Sequence, residues 1–131
     1  MELRSVEELM DLLYAGRCRH ALRTAALLRR SRPADKELQV AGLVHGIGQV
    51  LCPGDAATAA RTAAEAVRSL LGERVFRLVG ADADAADDDA LRLRQAAEES
   101  RTAGFDAGVP EDWRTVLELV ASRHARLDAV D

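Results

Sequence analysis

The amino-acid sequence predicts an all-α protein, a single compact bundle of about six or seven helices. Apolar residues recur at helical spacing along most of the chain, and no stretch alternates apolar and polar residues as a half-buried strand does. Glycine and proline fall between most of these periodic segments, where they end helices. The length of 131 residues is typical of one domain and is enough for one apolar core, so we expect residues 1–131 to form a single domain.

Capping and breaking residues delimit the first three predicted helices. The sequence Ser5-Val6-Glu7-Glu8 has the form of a capping box, and Gly16 is a typical C-terminal stop. The second predicted helix, residues 17–30, ends ahead of Pro33, because the residue before a proline avoids the helical conformation. The third, residues 35–50, begins at an aspartate that can cap it.

The second half of the chain predicts four more helices. An alanine-rich segment, residues 55–71, is followed by Gly72 and by a short helix over residues 73–79. Longer helices are predicted over residues 89–103 and 111–127, the latter with a proline where the first turn of a helix tolerates one. These segments complete the helical bundle.

One segment between these helices has low complexity. It reads Gly80-Ala-Asp-Ala-Asp-Ala-Ala-Asp-Asp-Asp89 and carries five carboxylates in ten residues. Aspartate is well solvated, and it also favours the cap and first turn of a helix. We expect an acidic, flexible stretch around residues 80–89, with a loose helix start as the alternative.

Composition excludes several classes of protein. The net charge is −4, which gives no overall basic field for nucleic acid, and no apolar run reaches the ~20 residues of a membrane span. Cys18 and Cys52 cannot form a disulfide framework and are expected to be free, buried thiols. The first ten residues do not read as a signal peptide. We therefore expect a cytoplasmic protein without nucleic-acid or membrane partners.

Arginine supplies all but one of the basic residues, and six arginines lie in or beside the second predicted helix: Arg17, Arg19, Arg23, Arg29, Arg30 and Arg32. No aromatic residues are interleaved with them, as nucleic-acid stacking would require. A solvated helix face is the favoured interpretation, and an anion-binding face is the alternative.

The histidines are the first candidates for chemistry. His20 and His45 lie on the apolar sides of consecutive predicted helices, and two imidazoles on packed helices can reach one metal ion. The structural alternative is that each ring fills a half-buried position and makes one hydrogen bond. The pairing alone does not decide between the two.

The sequence around these histidines resembles the HD-domain metal-dependent phosphohydrolases. The segments His20-Ala-Leu-Arg-Thr-Ala-Ala-Leu-Leu28 and Leu43-Val-His-Gly-Ile-Gly-Gln-Val-Leu51 carry the resemblance. The segments Leu70-Leu-Gly-Glu-Arg-Val-Phe-Arg-Leu-Val79 and Ala90-Leu-Arg-Leu-Arg94 extend it towards the small di-iron organophosphonate oxygenases of that superfamily. The resemblance covers residues 13–101 and implies an HD-like helical bundle in which both imidazoles face one central cavity.

Four of the six metal-ligand positions of that family differ in type here. Gly46 stands where the family has a metal-bridging aspartate, and Asp82 stands at the position of a later histidine. The terminal family aspartate falls at Ala97, beside Glu98, and the remaining histidine position, near residues 58–61, holds none. Since two cations held close together need a bridging oxygen anion, the resemblance implies a scaffold without its metal centre.

Three functions follow from this resemblance. The first is a non-catalytic interaction, regulatory or accessory protein that has a protein partner or forms a homo-oligomer and uses no cofactor. The second is a metal-dependent HD enzyme, a phosphohydrolase or oxygenase, that holds Fe, Mn or Zn through an altered ligand set: His20, His45, Asp82 and Glu98. The third is a small-molecule binder that uses the vacated cavity, which Gly46 and Tyr14 would line.

Overall fold

Every regular element that the structure describes is helical, which confirms the all-α prediction. The computed structural model describes residues 3–15, 19–45, 47, 56–80, 88–102 and 104–128. The seven α-helices in these ranges are α1 (Val6–Ala15), α2 (Arg19–Ser31), α3 (Lys36–Val44), α4 (Ala56–Leu71), α5 (Glu73–Gly80), α6 (Asp88–Ser100) and α7 (Arg114–Asp128). A 3₁₀ turn, Pro110–Trp113, leads into α7.

The predicted caps account for several helix ends. The Glu8 amide donates to Ser5 Oγ (3.2 Å), and Glu8 Oε1 accepts from the Arg4 amide (3.0 Å) at the start of α1. The Leu38 amide donates to Asp35 Oδ1 (3.1 Å) at the start of α3. Gly72 has a φ of +100°, a conformation that favours glycine, and it lets α4 turn directly into α5.

Some predicted boundaries are wrong. The third helix ends at Val44 rather than at residue 50, and the Ile47 amide donates to Val44 O (3.0 Å) in a tighter turn. Glycines at positions 46 and 48 have weak helix propensity, which explains the early end. The last helix begins as a 3₁₀ turn, and α6 covers Asp88–Ser100 rather than residues 89–103. Of the acidic stretch, residues 81–87 lie outside the described residues, and residues 80, 88 and 89 are helical.

Helix α3 is central to the packing. It packs against α2, α5, α6 and α7, and every residue from Leu38 to Val44 is buried. Helix α2 also packs against α6, and α7 also packs against α1 and α4. All seven helices contribute to one apolar cluster in which Trp113 is the largest fully buried side chain, and the other members are mainly Leu, Val and Ala. Within the described ranges, no helix is long and apolar enough to span a membrane.

Close contact between α2 and α3 depends on Gly42. A Cβ atom at this position would lie 2.6 Å from Leu28 Cδ1 and 3.3 Å from Thr24 Cγ2. Leu28 is fully buried, so its side chain has little free space to move into. The two helices can therefore approach this closely only with glycine at position 42.

Arg74 joins the ends of three helices. Its guanidinium donates to both oxygens of Asp35 (2.6 and 2.7 Å), to Glu37 (3.2 Å) and to Asp89 (2.9 Å). Hydrogen bonding to Arg74 lowers the pKa of Asp35 despite the opposing effect of burial. The same side chain of α5 thus holds the N-terminal ends of α3 and α6, which positions the opposite ends of these helices for the site described below.

We expect Gly42→Ala to destabilise the protein although alanine is the better helix former. Overpacking against Leu28 costs about 1–3 kcal/mol, whereas the gain in helix propensity is at most ~1 kcal/mol, so we expect a net loss of stability. Adding Leu28→Ala to Gly42→Ala should cost less than the sum of the two single changes, because the smaller residue leaves room for the new methyl group. Chemical denaturation measures both effects.

Gly104→Ala is the matched control, since a Cβ atom there meets no other atom within 4 Å. It should change the free energy of unfolding by no more than about 0.5 kcal/mol. A Gly42→Ala protein that is more stable than the wild type would contradict the importance of the close contact.

Candidate functional site

His20 and His45 meet at one end of the α2–α3 pair. Their ring centroids lie 5.5 Å apart with an angle of 65° between the ring planes. His20 lies in the first turn of α2, and His45 is the residue that caps the C-terminus of α3. Because the two helices run in opposite directions, the start of one lies beside the end of the other. The structure therefore brings together the two residues that sequence reasoning paired.

The backbone of α3 determines the tautomer of His45. Its Nδ1 lies 2.6 Å from Gly42 O, and a carbonyl oxygen only accepts, so Nδ1–H is the donor. The neutral ring then carries its free electron pair on Nε2. Burial lowers the pKa of His45, and the charges of His20 and Arg101 lower it further, against the opposing effect of the bond to Gly42. The neutral ring is the favoured state.

The hydroxyl of Ser100 lies beside Nδ1 of His20, and the hydroxyl of Thr24 lies 3.1 Å from that of Ser100. Ser100 Oγ lies 2.5 Å from His20 Nδ1 and 2.7 Å from Ala97 O, while Thr24 Oγ1 lies 2.8 Å from His20 O. If Thr24 donates to His20 O and Ser100 donates to Ala97 O, the hydrogen between His20 and Ser100 comes from Nδ1, and the contact between the two hydroxyls holds none. With this assignment, both histidines hold an N–H bond on Nδ1 and leave Nε2 unprotonated.

Arginine side chains make the surroundings of the pair positive. Burial is the main cause that lowers the pKa of His20, followed by the charges of Arg101 and Arg23, while Glu98 acts in the opposite direction. Arg101 also lowers the pKa of His45. Both rings are thus biased towards the neutral form by burial and by neighbouring cations rather than by a carboxylate partner.

The other predicted site residues do not join the pair in the part of the chain that is described. Glu98 is close enough to act on His20 electrostatically, but its side chain is 77% exposed and lies 3.9 Å from Arg101 Nε. Tyr14 is in the last turn of α1 and is 56% exposed. Asp82 and Gly46 lie outside the described residues, as do the two cysteines. Their predicted roles therefore stay predictions.

The described residues do not fit the metal centre that the resemblance implies. Among them, no three or more histidine, cysteine, aspartate or glutamate residues form a group that could hold a metal ion. A two-metal centre needs several carboxylate or imidazole ligands, including a bridging anion. The pair of imidazoles supplies two neutral nitrogens in a positive environment, which is a poor site for two divalent cations.

Sequence reasoning missed Ser100, Thr24 and Arg101 as members of this site. Thr24 lies four residues after His20 on the same helix, a spacing that places both on one face. Ser100 continues the buried spacing of Leu93 and Ala96 on α6, which marks it as a polar residue on an apolar face. The pairing of α2 with α6, however, joins residues 80 positions apart, and helical periodicity does not specify it.

No protein-family model matches this chain, and no curated protein or solved structure matches it at a significant level.

Stability should decrease as the pH falls below neutrality. Folding lowers the pKa of His20 and of His45 below 6.5, so the unfolded chain binds more protons as the pH falls. The contribution of the two neutral histidines to the free energy of unfolding is fully present above pH 6.5. It is lost as the pH falls through 6.5 towards the pKa values of the two histidines in the folded state. We expect the thermal midpoint to decrease from about pH 7.5 to about pH 5, where the carboxylates are still largely ionised.

His45→Asn tests the origin of this pH dependence, because asparagine keeps an N–H donor but does not titrate. The variant should lose part of the pH dependence of the midpoint, whereas His124→Asn, which changes a histidine outside the pair, should keep it. If the thermal midpoint depends on pH equally in the wild type and in His45→Asn, His45 is not a source of the pH dependence.

Proposed function

We propose that this chain is an HD-like helical domain that does not catalyse a metal-dependent reaction and instead serves as a regulatory or accessory protein for a protein partner or a second copy. The observation that carries the proposal is the environment of the histidine pair. Arg101 acts on both rings and Arg23 on that of His20, whereas the nearest carboxylate with an effect, Glu98, is exposed and faces Arg101. A cytoplasmic setting fits a chain that has only two cysteines.

Electrostatics argue against a catalytic cation at this pair. Each guanidinium repels a divalent cation, and the repulsion from Arg101 is moderated by solvent because its side chain is 69% exposed. In the HD family, carboxylates neutralise the metal charge, but here the residue after His45 is a glycine and cannot ligate. The ligand set has therefore lost negative charge while its surroundings carry positive charge.

The close contact between Ser100 and His20 does not support a serine hydrolase either. A nucleophilic serine needs an oxygen that a substrate can reach and a base that a third group orients. Ser100 is 1% exposed, and its hydroxyl is bonded within the protein to Ala97 O. Ser100 therefore serves as a structural link between α6 and α2.

A metalloenzyme with an altered ligand set is the second candidate, and one observation favours it. Metal-binding histidines usually donate their second ring N–H to a carbonyl or carboxylate, as His45 does to Gly42 O. His45 and His20 could then ligate through Nε2, with Asp82 and Glu98 as the further ligands and Fe, Mn or Zn as the metal. This candidate requires a reorientation of Glu98 away from Arg101.

Metal content separates the two candidates. Protein purified without chelator and without a histidine tag should hold well below one equivalent of Fe, Mn or Zn, because two imidazoles beside two arginines bind these ions weakly. Elemental analysis by mass spectrometry measures this. Near-stoichiometric metal that disappears in His45→Ala but not in His124→Ala would replace the proposed function by the metalloenzyme.

Restoring the family carboxylate gives a second test. Gly46→Asp places a carboxylate directly after His45 in the sequence, and we expect it to destabilise the metal-free protein, because an aspartate in the role of the family's bridging ligand would have no cation and would have to be protonated or lose solvation. Added Mn²⁺ should raise the thermal midpoint of this variant by a few degrees, since a ligand that binds only the native state stabilises it.

Gly46→Asn is the matched control, because it has the same size without the charge. Neither this control nor the wild type should respond to Mn²⁺. A wild-type protein that gains as much stability from Mn²⁺ as Gly46→Asp already has a metal site, and the proposed function would then be wrong.

A further inference from the structure

A groove of about 450 Å³ lies between α2 and the segment that connects α6 to the 3₁₀ turn. Leu22 and Arg23 of α2 form one wall, and residues 104–109 form the other. The volume lies in the range of small-molecule sites, ~300–1,000 Å³. None of the lining residues belongs to the histidine pair.

Arg23 is a fixed cation in this groove. Its Nε donates to Phe105 O (3.0 Å), and this is its one hydrogen bond among the described residues. A guanidinium carries five N–H donors in a rigid fork, so the two terminal nitrogens remain for another acceptor. The anchored Nε holds that fork in the groove and lowers the entropy lost when an acid binds to it.

The facing segment is shaped by its own contacts. Gly108 has a φ of +87°, and a Cβ atom there would collide with the Asp112 carboxylate. Asp106 Oδ1 accepts from the Gly108 amide (2.9 Å), and Asp112 Oδ2 accepts from the Val109 amide (3.0 Å). Arg30 lies over the Phe105 ring, 4.9 Å from its centroid, and ties this segment to α2. The groove is therefore formed before any ligand binds.

The lining combines one anchored cation with apolar surface. Leu22, Phe105 and Val109 supply the apolar part, and Val109 is 53% exposed although it is a large hydrophobic residue. The single acidic side chain of the lining, Asp106, accepts the Gly108 N–H, and this donor offsets part of the repulsion that the carboxylate exerts on an acidic ligand. A ligand that suits this lining has one acidic group for Arg23 and a small apolar body.

We propose that this groove binds a small organic acid, a carboxylate or phosphate monoester with an apolar body, whose acidic group pairs with Arg23. The inference goes beyond the proposed function and does not depend on it: Arg23 also acts on His20 through its charge, but acid binding in the groove requires no particular state of the histidine pair. Bidentate pairing between a guanidinium and an acid is among the strongest hydrogen-bonded contacts in proteins. The groove would give a regulatory or accessory protein a small-molecule signal to respond to.

Nuclear magnetic resonance of the metal-free, full-length chain tests this binding. The probes are phenyl phosphate, phenylacetate, the neutral phenylacetamide and inorganic phosphate. Both organic acids should shift the Arg23 Nε–H signal and the amide signals of residues 104–109 saturably, with a Kd of about 1 mM or tighter. Phenylacetamide and inorganic phosphate should each bind at least about tenfold more weakly than the corresponding acid.

Three variants locate the site. Arg23→Gln should weaken binding of both acids at least about tenfold, and Val109→Trp, which fills the groove without changing Arg23, should do the same. Arg77→Gln makes the same change of charge at a side chain of α5 that is 76% exposed and outside the groove, and it should bind as the wild type does. Thermal midpoints show that each variant is folded.

Several results would overturn the proposal. They are the absence of saturable shifts with either acid, equal binding of phenylacetamide and phenylacetate, equal binding of inorganic and phenyl phosphate, and undiminished binding by a folded Arg23→Gln or Val109→Trp protein. Metal content and the response of Gly46→Asp to Mn²⁺ are unaffected by any of these results. Failure here is thus distinguishable from failure of the proposed function.

Discussion

The close approach of α2 and α3 at Gly42 is the constraint on which the rest of the site depends. With no side chain at this position, Leu28 and Thr24 of α2 lie directly against the backbone of α3. The same residue offers its carbonyl oxygen to His45, and Thr24 bonds to the backbone of His20. One glycine therefore sets both the distance between the helices and the surroundings of the two rings.

Because aromatic residues make up only 3% of the chain, the protein has to build its core from small and branched side chains. A core of this kind stabilises the fold through close packing, and close packing requires the helices to lie in one register against each other. Contacts that fix the helix ends therefore matter. Arg74 holds the starts of α3 and α6 through Asp35 and Asp89, while Gln39 donates to the carbonyl of Arg32 (2.8 Å) at the end of α2. These polar contacts at the helix ends thus fix the register of the helices along their axes.

Much of the fold, but less of the site, could be predicted from the sequence. Helical spacing and the local caps at Ser5, Asp35 and Gly72 depend on neighbouring residues, so they are visible in the chain itself. The sequence prediction nevertheless carries α3 past Val44, where two glycines follow within four residues, and it does not include the 3₁₀ turn before α7. The contact of Ser100 with His20 joins helices far apart in the chain, and no local pattern specifies such a pairing.

The hydrogen bonds of the histidine pair explain why these two residues do not by themselves imply a metal. Each Nδ1 has a protein partner, Gly42 O for His45 and Ser100 Oγ for His20, and both rings are packed between helices. A half-buried polar group that is hydrogen-bonded within the protein contributes to a defined packing without any ligand. Since arginines rather than carboxylates surround the pair, its charge favours neutral rings over a bound cation. Two facing imidazoles in this arrangement are therefore compatible with a purely structural role.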